Sequence, residues 1–345
     1  MEIYIYDKDF KPIELLEGCN SIIWTKRWEQ LGDAQLVIAT NQIKEFNEYD
    51  ELIDLYLYNK TYNEYMLIDG YELTYDLQQG ELLTIYATDL LDILNRRLVW
   101  NQTIVSGSLT HCVSRILNEN VIEPTNTNRI IDNFEIGDFT IDTHSIASAQ
   151  FTGDTVYEAI QKLCDSQDVG YELTIEGDKF VFCLKDHEDL RDYVVFSKEY
   201  DNLIGYDKLK SVKNIKNVAL VAGEGEGKDR QKASVNDYEG LERREVFVDA
   251  RDLSSNEGEI SEADYILQLQ ARGVERLQEL SIDNSFDATI DNLRMYVYQQ
   301  DYNLGDFVRI VDYRNNSYTA QITEYIMSEN IEGINAYPNF EIKEV

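Results

Sequence analysis

The apolar residues of this chain change period twice, and that pattern sets the frame into which it folds. At the start, Ile3-Tyr4-Ile5-Tyr6 alternates as a strand does, its side chains on opposite faces. Ser21-Ile22-Ile23-Trp24-Thr25 and Ala34-Gln35-Leu36-Val37-Ile38 flank a turn near Leu31-Gly32-Asp33. Leu52 to Tyr58, Glu64 to Tyr75 and Glu81 to Thr88 follow, Gly80 opening the last. Short strands at near-regular spacing predict a barrel or sandwich over residues 1–100. Asp89 then caps a short helix through Leu90, Leu91, Ile93 and Leu94 to Arg96-Arg97.

The period then becomes helical. Leu109, Cys112, Val113, Ile116 and Leu117 fall on one helix face, and Val156, Ala159, Ile160, Leu163 and Cys164 repeat the same offsets. Tyr171 to Ile175, a turn at Glu176-Gly177-Asp178, and Phe180 to Leu184 make a hairpin. Residues 101–204 thus read as a small α/β insertion.

Strands return at Lys216 to Ala222 and Glu245 to Val248. Ser261 and Asp264 open a helix with Ile266, Leu269, Gly273, Leu277 and Leu280 on one side, a helical excursion over 251–284. Strand patterns follow at Phe286 to Ile290, Arg294 to Tyr298, Phe307 to Val311, Tyr318 to Ile326 and Phe340 to Ile342. The fold class is α+β and β-rich: one β module over 1–100, a second over 205–250 plus 285–345, and the insertion between them.

Composition narrows the function. The formal charge is −34, from 31 basic and 65 acidic residues. A stable nucleic-acid binder needs clustered Lys and Arg to replace phosphate counterions, so none is expected. The cysteines Cys19, Cys112, Cys164 and Cys183 have no C-x-x-C spacing, which predicts buried thiols of a reducing cytoplasm and neither zinc nor a redox pair. No basic leader precedes the first strand, and no apolar run approaches the ~20 residues of a membrane span, so no membrane anchor is expected.

Each motif that invites chemistry fails on a required position. In Gly223 to Arg230, Ala222 stands where a P-loop needs its first glycine, Asp229 replaces the Ser/Thr, and two glutamates would repel phosphate. His187-Glu188 begins a zinc motif whose second histidine is Arg191. His111, His144 and His187 are the only histidines. Asp252, Ser254 and Asn256 have calcium-loop spacing, but Glu257 replaces the obligatory glycine and Ala263 the final glutamate. No nucleophile elbow or local Cys/His protease signature is present. The reading is therefore no catalytic residue, no metal ligand and no cofactor.

Several strings, in order, carry a resemblance. They are Arg27-Trp28 with Gly32 to Ile38; Leu90-Leu91 to Arg96-Arg97; Gly153-Asp154 with its helix; and Val194 to Ser197 with Asn202-Leu203. Lys216 to Ala219 with the loop through Arg230, Arg243-Arg244-Glu245 with Val248 to Ala250, and Leu304 to Val308 complete the set. Together they resemble the phage tail-hub family, the tail-associated (Tal-like) proteins of siphophages and related baseplate hubs.

The resemblance implies two tube-like β-barrels per chain in a homotrimeric ring, so that six barrels match a sixfold tail tube. It implies a distal tail protein or tail tube protein above, the tape-measure protein within, and a fibre, spike or receptor-binding protein below. Location in the virion tail tip and assembly in the host cytoplasm follow from it. The chain stops at Val345 soon after the last predicted strand, so no appended enzymatic domain is expected. A cell-wall peptidase or glycosidase, or a glycan-binding tail module, is the alternative class.

Overall fold

A computed structural model describes residues 1–343 apart from 47, 79, 138, 140, 142–143, 256–259, 281–282 and 291–294. The first seven strands are β1 (Ile3–Tyr6), β2 (Pro12–Leu15), β3 (Ser21–Arg27), β4 (Asp33–Ala39), β5 (Tyr56–Asn59), β6 (Glu64–Asp76) and β7 (Gly80–Asp89). They pair antiparallel in the order β3-β4-β7-β6-β5-β1-β2. Alternation does what period 2 predicts: in β4, Ala34, Leu36 and Ile38 are buried and the residues between them are not. Asp89 ends β7 and caps a 3-10 turn, Leu90–Arg96, its Oδ1 accepting from the Leu91 amide at 3.1 Å.

The insertion comprises β8 (Thr103–Ser108), α1 (Leu109–Leu117), β9 (Phe134–Ile136), β10 (Ser145–Phe151), α2 (Val156–Asp165), β11 (Gly170–Glu176) and β12 (Lys179–Lys185). Both helices bury the stripes read from sequence. Burying each such Leu, Ile or Val contributes about 1.5–3 kcal/mol. α2 also has a capping box: the Glu158 amide donates to Thr155 Oγ1 at 3.0 Å, and the Thr155 amide to Glu158 Oε2 at 2.8 Å. The insertion core runs from Leu90 to Leu184 and takes in Tyr56 and Leu67 of the first sheet.

The chain then re-enters the large sheet with β13 (Val195–Ser197) and β14 (Leu203–Ser211). It leaves for β15 (Val218–Ala222), β16 (Lys232–Val235), β17 (Glu245–Asp249) and α3 (Glu262–Glu279), and returns with β18 (Asp283–Ile290), β19 (Phe307–Val311), β20 (Ser317–Asn330) and β21 (Gly333–Lys343). β20 joins the two ends of the chain. Its first part pairs with β19 and its second with β3, while β21 runs along its other side. Among the described residues the large sheet has 13 strands. One core lies over both ends, holding Ile5, Trp24, Leu36 and Ile85 with Phe196, Val308, Ile322 and Phe340.

Three expectations change here. Sequence places the strands at 216–222 and 245–248 in the second β module; in the structure they pair with each other, with β16 on the far side of β15, in a three-stranded sheet covered by α3. The physical reason is local: the α3 stripe of Leu269 and Leu277 needs an apolar face, and the strands adjacent in sequence supply it. Gly273 lets helix and sheet approach, since a Cβ there would sit 2.6 Å from Val235 Cγ2 and 2.7 Å from Val221 Cγ2. The insertion also ends earlier than 204, because β13 and β14 belong to the large sheet. Arg294 lies outside the described residues, and Met295 to Tyr298 form no strand, only a bridge from Tyr298 to Tyr302.

Candidate functional site

The residues with chemical potential do not converge. His111 is exposed on α1, while His187 packs edge-on against Phe307 at 4.7 Å between ring centroids. His144 lies before β10, its carbonyl accepting from the Leu109 amide at 3.0 Å. Among the described residues no group of three His, Cys, Asp or Glu could hold a metal. No disulfide joins the cysteines; Cys112 and Cys164 are buried on their helices. Asn256, Glu257 and Gly258 of the calcium-like spacing lie outside the described residues. No described helix is long and apolar enough to cross a membrane.

The glycine loop is clamped shut. Arg230 donates from Nε to the Gly223 carbonyl at 2.7 Å and pairs with Asp249 at the end of β17. Tyr265 of α3 accepts from the Glu224 amide at 2.9 Å and donates to the Leu253 carbonyl at 3.0 Å. Gly223, Glu224 and Arg230 are thus committed within the small sheet and its helix.

Two of the family-like strings, Arg27-Trp28 and Leu304 to Val308, meet around Trp28. Its indole fills a slot between Gly170 at the start of β11 and Gly305 before β19. A Cβ on Gly305, whose φ is +89°, would lie 2.5 Å from the ring; one on Gly170 would lie 2.7 Å from Cε3 and closer to the neighbouring ring carbons. Arg27 beside it donates to Glu324 at 2.8 Å and to the Leu31 carbonyl at 2.8 Å, and pairs with Asp33. Asp306 accepts from the Glu188 amide at 2.8 Å and the Asn303 amide at 2.7 Å. Gln321 of β20 reaches Asp168 of the insertion at 3.0 Å. Three segments far apart in sequence are therefore locked at one point. Arg27, Trp28, Gly305 and Asp306 belong to the strings that carry the resemblance. Gly170, Asp168 and Gln321 lie outside those strings, because nothing local to them signals a partner more than 100 residues away.

A buried charged group lies close by. Lys26 of β3 pairs with Asp89 of β7, and Trp24 Nε1 donates to Glu64 of β6 at 2.7 Å. Burial works against the Lys26 charge, but Asp89 and Glu64 hold its ammonium above the usual lysine range. Burial pushes the Glu64 carboxyl up to about 7, against the opposing pull of Lys26 and Trp24. Gln299 Nε2 reaches Glu64 at 3.3 Å, and Tyr298 stacks on Tyr325 at 3.9 Å. These contacts join the first strands to the last ones. A shallow cleft of about 280 Å³ between Lys8, Asp54, Tyr56, Arg96, Arg97 and Phe180 opens elsewhere, where the first sheet meets the insertion.

The family model described as Siphovirus ReqiPepy6 Gp37-like protein matches residues 2–335 of this chain. Solved structures share the fold. The prophage MuSo2 43 kDa tail protein from Shewanella oneidensis is 15% identical, with a TM-score of 0.61 over 99% of this chain and 98% of that one. The tail protein from Neisseria meningitidis MC58 is 11% identical, with a TM-score of 0.62 over 99% and 96%. The prophage tail protein gp18 from Listeria monocytogenes EGD-e is 13% identical, with a TM-score of 0.53 over 100% and 95%. No curated protein matches.

Proposed function

The chain belongs to the Siphovirus ReqiPepy6 Gp37-like protein family, and from that premise we propose that it is a non-enzymatic structural hub of a phage-type tail tip or baseplate. In this reading three copies form a ring that closes the tail tube, the two strand-rich ends of each chain act as tube-like units, and the ring binds a distal tail or tube protein, the tape-measure protein and a fibre, spike or receptor-binding protein. The observation that carries it is β20. One strand pairs with both ends of the chain, and with the Trp28 junction beside it ties them into one unit, which supports reading the chain as a single rigid subunit of a ring. The insertion and the α3 unit carry further cores, the first of which takes in Tyr56 and Leu67 of the large sheet.

Charge fits a passage for DNA. A basic wall would hold phosphates through counterion release, whereas an acidic wall lets them pass. Asp and Glu are accordingly expected to outnumber Lys and Arg on the inner surface of the ring. Light scattering of the purified chain tests the assembly. A particle of about 120 kDa, three times the 40.1 kDa chain, is expected; a monomer at all accessible concentrations overturns the ring. Peptidoglycan zymography tests the absence of catalysis, a cleared band assigning the chain to the hydrolases instead.

A further inference from the structure

The charge of this chain is unevenly placed. Residues 61–95 contain seven carboxylates and no Lys or Arg, whereas residues 208–216 contain four lysines and no carboxylate. Glu72 and Asp76 of the acidic run, and Lys208 and Lys210 of the basic run with Lys213 just beyond, fall on strand edges that lack a neighbour. β14 ends the large sheet, hydrogen-bonded to β18 on one side only. β6 pairs with β5 through Leu67 and then, past a bulge at Ile68/Gly70, runs on with β7 alone, leaving the outer edge of residues 71–76 open.

Both edges are apolar as well as charged. Tyr75 and Leu77 at the β6–β7 tip are 71% and 90% exposed, and Ile204 and Leu209 of β14 are 59% and 51% exposed. Lys208 and Lys210 lie on one face of β14, and Glu72 and Asp76 on one face of β6, by the two-residue period. Tyr86 holds the Glu72 carboxylate at 3.0 Å. Among the described residues no carboxylate forms an ion pair with Lys208 or Lys213; Lys208 lies over the Tyr318 ring at 4.1 Å.

We propose that β14 of one copy pairs with the outer edge of β6, residues 71–76, of the next copy, a contact that rests on the ring assembly argued above. Lysines on an edge strand ordinarily block pairing with another edge. Here they do so selectively. Two β14 edges repel each other, and so do two β6 edges, while unlike edges attract. A contact between unlike patches is heterologous, the kind that closes a ring. Six residues of shared edge span about 20 Å of main-chain hydrogen bonding.

Charge reversal of each edge tests it, with light scattering over a concentration series and far-UV circular dichroism to verify folding. One variant carries Lys208→Glu, Lys210→Glu and Lys213→Glu, another Glu72→Lys and Asp76→Lys, and a third all five. Each single-edge variant is expected to need at least tenfold higher concentration to assemble, and the five-fold variant to return to the wild-type midpoint. Single-edge variants that assemble as wild type overturn the pairing and leave the ring standing. A folded five-fold variant that stays dispersed also overturns it. A wild-type chain that never assembles refutes the ring itself, and the pairing with it.

Discussion

Replacing Gly170 with alanine inserts a methyl group into the slot that Trp28 fills. The added carbon would lie 2.7 Å from Cε3 of the ring and nearer to two other ring carbons. Carbon atoms rest at about 3.5–4.0 Å, so ring or strand must yield by at least about 0.8 Å. Overpacking of this kind costs about 1–3 kcal/mol, or a midpoint shift of about 2–12 °C at roughly 2–4 °C per kcal/mol. Trp28→Ala alone is expected to cost about 3–5 kcal/mol, by the cavity it leaves among buried neighbours. The decisive protein is the double variant. With the ring gone the methyl meets open space, so Gly170→Ala adds nothing or restores a little packing. The coupling between the two sites should therefore be about 1–3 kcal/mol and favourable. Urea unfolding of the four proteins by circular dichroism measures it. Costs that add to within about 0.5 kcal/mol would refute the claim that Trp28 joins the insertion to the sheet.

Because the folded state raises the Glu64 carboxyl to about 7, it binds more protons than the unfolded chain between about pH 4.5 and 7. Stability falls as pH rises through that window, by up to about 3 kcal/mol, and Glu64→Gln flattens the fall; thermal midpoints at pH 5 and pH 8 check this. Arg230→Gln releases the glycine loop from Gly223 and Asp249. Proteolysis between residues 223 and 230 should speed up several-fold while the large sheet's unfolding midpoint holds. Single alanine substitutions of His111, His144 and His187 should leave assembly intact, and elemental analysis should find no stoichiometric zinc. Duplex DNA should not be retained by the immobilised protein at ~0.15 M salt; steady binding there contradicts an acidic channel.

What could be read ahead of the structure was what depends on near neighbours. The faces of α1 and α2 followed from offsets of three and four, and all ten apolar positions named on them are buried. Gly177 marked the turn between β11 and β12 because a tight reversal needs positive φ there. Partners could not be read. Alternation assigns Val218 to Ala222 to a strand but carries no information on which strand lies beside it. On α3 the offsets found Leu269, Gly273 and Leu277 but missed Tyr265, whose polar tip bonds the Leu253 carbonyl from a buried position. The Trp28 junction was half legible: its strings could be noticed, whereas their meeting point depends on Gly170, a residue distinctive only once the indole lies against it.

The pairing of β3 with β20 also sets a clock. Arg27 and its partner Glu324 are 297 residues apart. At about 5–20 residues per second, a ribosome needs roughly 15–60 s to make the second after the first. Throughout that interval β3 offers an open edge beside finished strands, the condition under which sheets recruit a wrong neighbour. Synthesis that stalls between β14 and β20 would leave a nascent chain prone to cross-association, and its yield would depend on translation speed over that stretch more than on the stability of the finished molecule.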